Sequence, residues 1–443
     1  MVHSPDRVVS VAAFGTFLAM MSFTAPLVTA QRTAADFGAG ASGQTWLLSS
    51  MSLGLTVAML TCGTLGDDYG RRRVFVAGTG VFVVASAVSA LAPSVAVFVV
   101  ARVLVGAGAA AMMACGLSML GHALPPGPGR ARASALWGAS MGVGLAIGPV
   151  LAALCARYLD WRIVYWVYAA LGVVLVLLAR ALLSESTSGR RSRIDVPGVV
   201  LLAAGLTCVL AGLTEGRGGW LSPEVLGLLV VGVLALGGFL VAERRSKAPM
   251  VDLSLFRRPA LLSATAVGFA SGAGINALMS YLPSLLQRGL GYSTLATAGL
   301  LLAWSAPSVL TSFAARYLNP GFPPRARMAV GLVLIAAGLL VTGGLSDGEL
   351  CTGLIVAGVG TGLVNATIGG EAVTSVPPER SGMGSGINNT SRYLGAAVGV
   401  TVVFVLGVHS GHSGWAASVI LGAAVSLAGA LAVVTLRPVR EVV

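Results

Sequence analysis

Arg102, Glu371 and Arg392 carry charge inside stretches that are otherwise apolar, and they are the residues whose types could do chemistry. A charged side chain within a membrane is expensive, so it marks a function by default. A carboxyl there can take up and release a proton, and a guanidinium can pair with it or bias the exchange. Of the 16 acidic residues, nearly all fall in loops or at helix ends; Glu371, ahead of Pro377, is the one placed inside a span, toward its cytoplasmic end. Arg392 stands at a depth that lets it pair with Glu371. The chain offers no nucleophile–base pair, metal cluster or phosphate-cradling loop, so an enzyme has no support and no cofactor is expected. His409-Ser-Gly-His412 supplies two ligands on a short loop, an incomplete metal site. Cys62, Cys115, Cys155, Cys208 and Cys351 are scattered in or beside apolar runs and read as small buried hydrophobes.

The elements that must hold these charges are membrane spans. The 443 residues are 56% hydrophobic and 10% charged, with a mean hydropathy of +0.88. Soluble domains average about 25% charged residues. Such a chain cannot hide its apolar surface in a water-soluble ball. Apolar runs at 8–30, 44–66, 74–94, 96–120, 133–156, 161–183, 197–214, 222–242, 260–286, 294–315, 328–345, 350–375, 382–408 and 415–436 predict fourteen spanning helices. The net charge of +12 would suggest nucleic acid in a soluble protein. Here it maps the topology: with the N-terminus inside, 21 basic residues lie inside and 5 outside, and both termini are cytoplasmic. No nucleic-acid partner is expected; the lipid bilayer is the surrounding medium.

An internal repeat organises the spans. Val105-Gly-Ala-Gly-Ala109 in span 4 returns as Ala357-Gly-Val-Gly-Thr361 in span 12, offset by 252. Gly144-Leu-Ala-Ile-Gly148 in span 5 returns as Gly395-Ala-Ala-Val-Gly399 in span 13, offset by 251. The chain therefore reads as a six-helix half (1–183), an inserted helix pair (184–259) and a second six-helix half (260–443). Transporters built from repeats place substrate between them near the midplane.

Three motifs carry a resemblance. The loop after span 2 reads Gly63-Thr-Leu65-Gly-Asp67-Asp-Tyr-Gly70-Arg71-Arg72-Arg73, span 5 holds Gly144-x-x-x-Gly148-Pro149, and span 4 holds Arg102-Val-Leu-Val105-Gly106-Ala-Gly108. Gly63 permits close helix contact, Gly70 a tight turn, and the arginine cluster anchors the inner surface. Pro149 removes an N–H from its helix. Together these resemble the signature motifs of the major facilitator superfamily, in its 14-helix drug:proton antiporter branch. The match runs end to end: Gln44-x-Trp46, Trp161-Arg162, Asp195 with Gly198, Gly291 to Gly299 and Gly382-x-x-x-Gly386 follow in the family's order. The resemblance implies an all-α polytopic membrane protein of major facilitator fold, with six, two inserted and six helices, in a bacterial cytoplasmic membrane. It implies export of drugs or secondary metabolites by alternating access, in exchange for protons, by a monomer. By the same resemblance Asp67 meets the start of span 13 near Arg380 and Ser381. Departures are Asp68 for the usual Arg, Val105 for Gln, Ala152-Ala153 for Gly-Gly, and Asn319 where Asp67 would repeat.

Proton coupling is where the family pattern breaks. The branch carries an acid in span 1, and alignment on Asp36 puts Ser22-Phe23-Thr24 there. The family role of Arg102 is to bias the protonation of a nearby acid, and three readings stay open: Glu371 carries the proton, Asp36 or Asp67 carries it, or coupling is weak, altered or absent. By family analogy the substrate cavity draws on Met20, Met21 and Phe23; Met112 and Met113; Trp137 and Met141; Asn276, Met279 and Tyr281; Trp304; Asn365; and Asn388, Asn389 and Arg392. Met and aromatic side chains adapt to varied apolar ligands. The few embedded charges suggest a small amphipathic substrate, uncharged or a delocalised cation. Two other functions stay open: a transporter of one metabolite, and a membrane sensor that has lost coupling.

Overall fold

The computed structural model describes residues 5–125, 127–187, 195–216, 219–246, 253–318, 321–377 and 380–436. The described residues are helical nearly throughout. Twelve helices match the first twelve apolar runs: α1 Pro5–Asp36, α2 Ala41–Tyr69, α3 Arg71–Leu91, α4 Val95–Ala123, α5 Pro128–Tyr158, α6 Ile163–Leu182, α7 Val196–Glu215, α8 Pro223–Arg245, α9 Pro259–Gly289, α10 Thr294–Tyr317, α11 Pro324–Val341 and α12 Asp347–Thr374. Pro128, Pro223, Pro259 and Pro324 each open a helix, where a missing N–H costs nothing. Large apolar side chains such as Val84, Leu177, Val230, Val233, Leu234 and Leu431 are exposed, a surface that suits lipid and not water.

The last two expected spans form one helical run, α13, Ser381–Thr435. Fifty-five residues would stretch about 80 Å if straight, far beyond a bilayer. Packing shows two passes instead. Gly399 lies against Ala273 of α9, while Gly422 lies against Gly274, its neighbour in sequence. In a straight helix residues 399 and 422 would stand about 35 Å apart. Gly395 reaches Phe269 and Gly429 reaches Ala270, so the two arms of α13 run in opposite directions along α9. The chain turns back between Val403 and Trp415, whose indole donates to the Thr342 carbonyl at 2.8 Å.

The glycine repeats explain themselves in the packing. Gly106 faces the Met51 carbonyl of α2 and Gly108 faces Gly78 of α3; at the repeat, Gly358 faces the Trp304 carbonyl of α10 and Gly360 faces Gly331 of α11. Gly144 and Gly148 lie on the Phe17 and Met21 carbonyls of α1, as Gly395 and Gly399 lie on those of Phe269 and Ala273 in α9. At each position a Cβ would collide with backbone, so the helices touch only because these residues are glycine. The pair α7–α8 closes on itself at Gly205 and Gly232. It docks beside α2 and α13, where the Trp46 indole donates to Glu215 and Thr401 Oγ1 donates to the Leu213 carbonyl at 3.2 Å.

Candidate functional site

At the C-terminal end of α2, Asp67 is fully buried. Its Oδ1 accepts Arg71 Nε at 3.0 Å, Arg71 Nη2 at 2.9 Å and Ser118 Oγ at 3.2 Å, and its Oδ2 accepts the Met383 N–H at 3.2 Å. Arg71 Nη2 also reaches Ser381 Oγ at 3.2 Å, and Ser118 and Ser381 hydroxyls lie 2.8 Å apart. Asp67 therefore sits on the first turn of α13, where exposed N–H groups favour an anion. Gly63 and Gly382 touch backbone to backbone beneath it, which lets α2 and α13 approach. Leu65 is half-buried alongside.

Gly70 holds φ at +117°, a turn open to glycine, and a Cβ there would lie 2.6 Å from the Glu185 carboxyl. Glu185 uses that space to accept the N–H groups of Arg72 at 3.1 Å and Arg73 at 3.2 Å, capping α3. Arg72 donates in turn to the Arg180 carbonyl at 2.6 Å. Sequence reasoning missed Glu185, Ser118 and Ser381's bridging role. Glu185 lies 115 residues from Gly70 with no local pattern linking them.

Arg102 is 1% exposed. Its Nη1 donates to Ser22 Oγ at 2.8 Å, its Nη2 to the Ser22 carbonyl at 2.8 Å, and Met51 Sδ lies 3.0 Å away. The guanidinium lies over the Tyr165 ring, 5.6 Å from its centroid. Among the described residues no carboxylate comes within 4 Å of it. Asp36 stands at the other end of an aromatic wall: it accepts the Trp161 indole N–H at 2.5 Å, and Trp161 meets Tyr165 edge-on.

At the centre, the Arg392–Tyr393 pair of α13 crosses to the first six helices. Arg392 Nη1 rests on Met141 Sδ at 3.1 Å. The Tyr393 hydroxyl reaches Met20 Sδ and Met113 Sδ, each at 3.8 Å, and its ring meets Phe23 edge-on at 5.9 Å. Trp137, one turn before Met141 on α5, is buried against Gly369 of α12, and the neighbouring Gly138 packs on the Asn365 backbone. Met112 is buried within α4. Opposite Arg392, α9 widens into a π-helical segment, Gly272–Asn276, whose first residue, Gly272, lies on the Arg392 carbonyl. Such bulges gather at functional sites. Phe23, Trp46, Ser49, Leu210, Ser280 and Ala396 line a cavity of 40 Å³, room for a water.

Other expected residues go elsewhere. Glu371 and Arg392 do not pair. The Ala372 carbonyl next to Glu371 packs on Gly384, eight residues and about 12 Å along α13 from Arg392. The cation whose charge reaches Glu371 is Arg325 of α11. Asn388 Nδ2 donates to the Ala264 carbonyl at 2.7 Å and Asn389 Nδ2 to that of Ser385 at 3.0 Å, so both amides serve packing. Tyr281 stacks on Trp415 and Trp304 Nε1 donates to Thr361, both within the later helices. Asn276 lies half-buried in the π segment. Asn319 and the His409 and His412 side chains lie outside the described residues.

The Major Facilitator Superfamily profile matches residues 12–400. Multidrug resistance protein Stp of Mycobacterium tuberculosis is 31% identical over 88% of this chain and 73% of its own length. The probable actinorhodin transporter of Streptomyces coelicolor is 31% identical over 89% and 72%, and the tetracenomycin C resistance and export protein of Streptomyces glaucescens 28% over 89% and 74%. Among solved structures, the proton:xylose symporter XylE superposes with a TM-score of 0.71 at 15% identity, over 96% of this chain and 94% of that one.

Proposed function

The chain belongs to the Major Facilitator Superfamily, and on that premise we propose that it exports drugs or secondary metabolites by alternating access, in exchange for protons. It is a multi-pass inner-membrane transporter and not an enzyme. We read residues 1–183 and 260–443 as the two moving halves, with 184–259 as an inserted pair and both termini cytoplasmic.

The observation that carries this reading is the buried Asp67 joint. It ties α2 and α4 to the first turn of α13 through Arg71, Ser118, Ser381 and Met383. Three of these contacts cross to α13, Met383 N–H to Asp67, Arg71 to Ser381 and Ser118 to Ser381, and they break together when the two halves part there, while Arg71 and Ser118 stay on Asp67. The Met20, Phe23, Met113, Trp137 and Met141 face then opens against Arg392 and Tyr393. Thioether and aromatic walls re-pack around varied apolar ligands. The relatives named for drug resistance and antibiotic export support outward transport of such ligands. Glu371, half-buried near the C-terminal end of α12, is the acid we assign to the proton step.

Reconstitution into liposomes tests this with amphipathic fluorescent dyes of neutral, cationic and anionic charge. A proton gradient opposed to dye movement should accelerate transport of at least one. Equal rates with and without the gradient would reject proton exchange, and transport of none under either condition would reject export.

A further inference from the structure

We propose that the substrate carries an anionic group, received at the centre of the cleft by Arg392 with Trp137, and that Met141 occupies that place in the closed state. The proposal rests on reading this cleft as the substrate path. Arg392 is 3% exposed, its Nη1 meets a sulfur at 3.1 Å, and its Nε–H meets no acceptor. Among the described residues no carboxylate comes within 4 Å of it. The Trp137 indole N–H, one turn away from Met141 on the same face of α5, is buried and also lacks an acceptor. The Tyr393 hydroxyl next door has two thioethers as its partners.

The centre is thus rich in donors and poor in acceptors. A thioether is a weak acceptor, and methionine is flexible enough to swing aside. A guanidinium removed from water needs a countercharge. The described residues supply none, so the missing partner is a group that arrives and leaves. A carboxylate fits: it accepts two N–H bonds from a guanidinium fork, and an indole N–H can supply a third. A cation would add charge to a site that already lacks an anion. This differs from the neutral or delocalised-cation substrate expected from how few charges the spans contain. What matters is that the charge placed at this centre, Arg392, is a cation with no carboxylate within 4 Å among the described residues. Arg102 of α4, packed against α1, α2 and α6, is a second buried cation of the first half.

Three pyrene probes of similar size separate the possibilities: pyrenebutyrate, its methyl ester and pyrenemethylamine. Binding is read as the shift in thermal unfolding of the purified full chain, and transport is read separately in liposomes. Pyrenebutyrate should raise the unfolding midpoint of wild type, while the ester and amine should do so at least tenfold less potently. Arg392→Met should abolish that preference and Arg392→Lys should keep part of it. If Arg392→Met does not fold, Trp137→Phe should weaken the acid severalfold and leave the ester unchanged. Equal stabilisation by ester or amine, or none by the acid, overturns the proposal even where dyes are exported. Chloride replacing gluconate at constant ionic strength, if it matches pyrenebutyrate, also overturns it, since the site would then hold an inorganic ion. Stabilisation by the acid without transport of any probe keeps the anion site and rejects the exporter reading instead.

Discussion

Arg102 and Ser22 meet through two hydrogen bonds of 2.8 Å, one to the hydroxyl and one to the carbonyl, in a setting closed to water. A buried cation is held here by neutral groups, at the position where the resemblance to the drug:proton branch would place an acid. Among the described residues no carboxylate stands within 4 Å of this guanidinium, and the proposed proton step is assigned to Glu371 instead.

Replacing Ser22 should therefore move stability in opposite directions. Ser22→Ala leaves a guanidinium N–H without its partner and should cost about 1–3 kcal/mol, the range for an unsatisfied buried donor. Ser22→Asp supplies a countercharge at the same place and should stabilise by about 1–3 kcal/mol, the strength of hydrogen bonds to charged groups. Thermal unfolding in detergent reads both, and a Ser22→Asp variant less stable than Ser22→Ala would contradict the account.

Gly63→Val should hold the inner end open, because any Cβ there runs into the Gly382 carbonyl. Cys115 reports on this without an added label. It is buried, with its sulfur 2.6 Å from where a Cβ on Gly66 would stand. Maleimide modification of Cys115, followed by mass spectrometry, should speed up about tenfold, as expected when ~1.4 kcal/mol of closing energy is lost. An unchanged rate would mean that the Gly63–Gly382 contact does not govern access.

The Glu185 cap predicts a graded pair. Glu185→Gln keeps an acceptor but removes the charge at the α3 N-terminus, a loss of about 0.3–1 kcal/mol. Gly70→Ala forces a side chain into a φ of +117° and against the Glu185 carboxyl, and should lose more, about 1–3 kcal/mol. The order of the two unfolding midpoints is the check.

Glu371→Gln should abolish the acceleration of transport by a proton gradient while leaving gradient-independent movement in place. Gradient-driven transport at the wild-type rate would remove Glu371 from the proton step. Arg325→Gln, which withdraws the charge acting on Glu371, should shift the pH dependence of transport without abolishing it.

Much of this protein is written along the chain because membrane burial is a local property. Each span must satisfy its own backbone, so apolar length marks the helices, and arginine placement separates the two sides. The repeats at offsets of 252 and 251 were equally visible. Each glycine pair is spaced to meet a neighbour's backbone, and the structure places both copies in equivalent contacts. Asp67 and its glycines were legible for the same reason, as a short run with fixed spacing.

Pairings across the bundle were not legible. Glu371 and Arg392 look matched by charge and depth, yet helix register sets them a full eight residues apart along α13, and a 4 Å ion pair does not tolerate that. Asn388 and Asn389 looked like cavity amides until the backbone carbonyls of α9 and α13 claimed them. Sequence determined that the chain crosses the membrane many times and which residues carry charge into it. Only the tertiary structure decided that, among the described residues, Arg102 and Arg392 meet no carboxylate, because distance between helices depends on packing contacts that no spacing along the chain records.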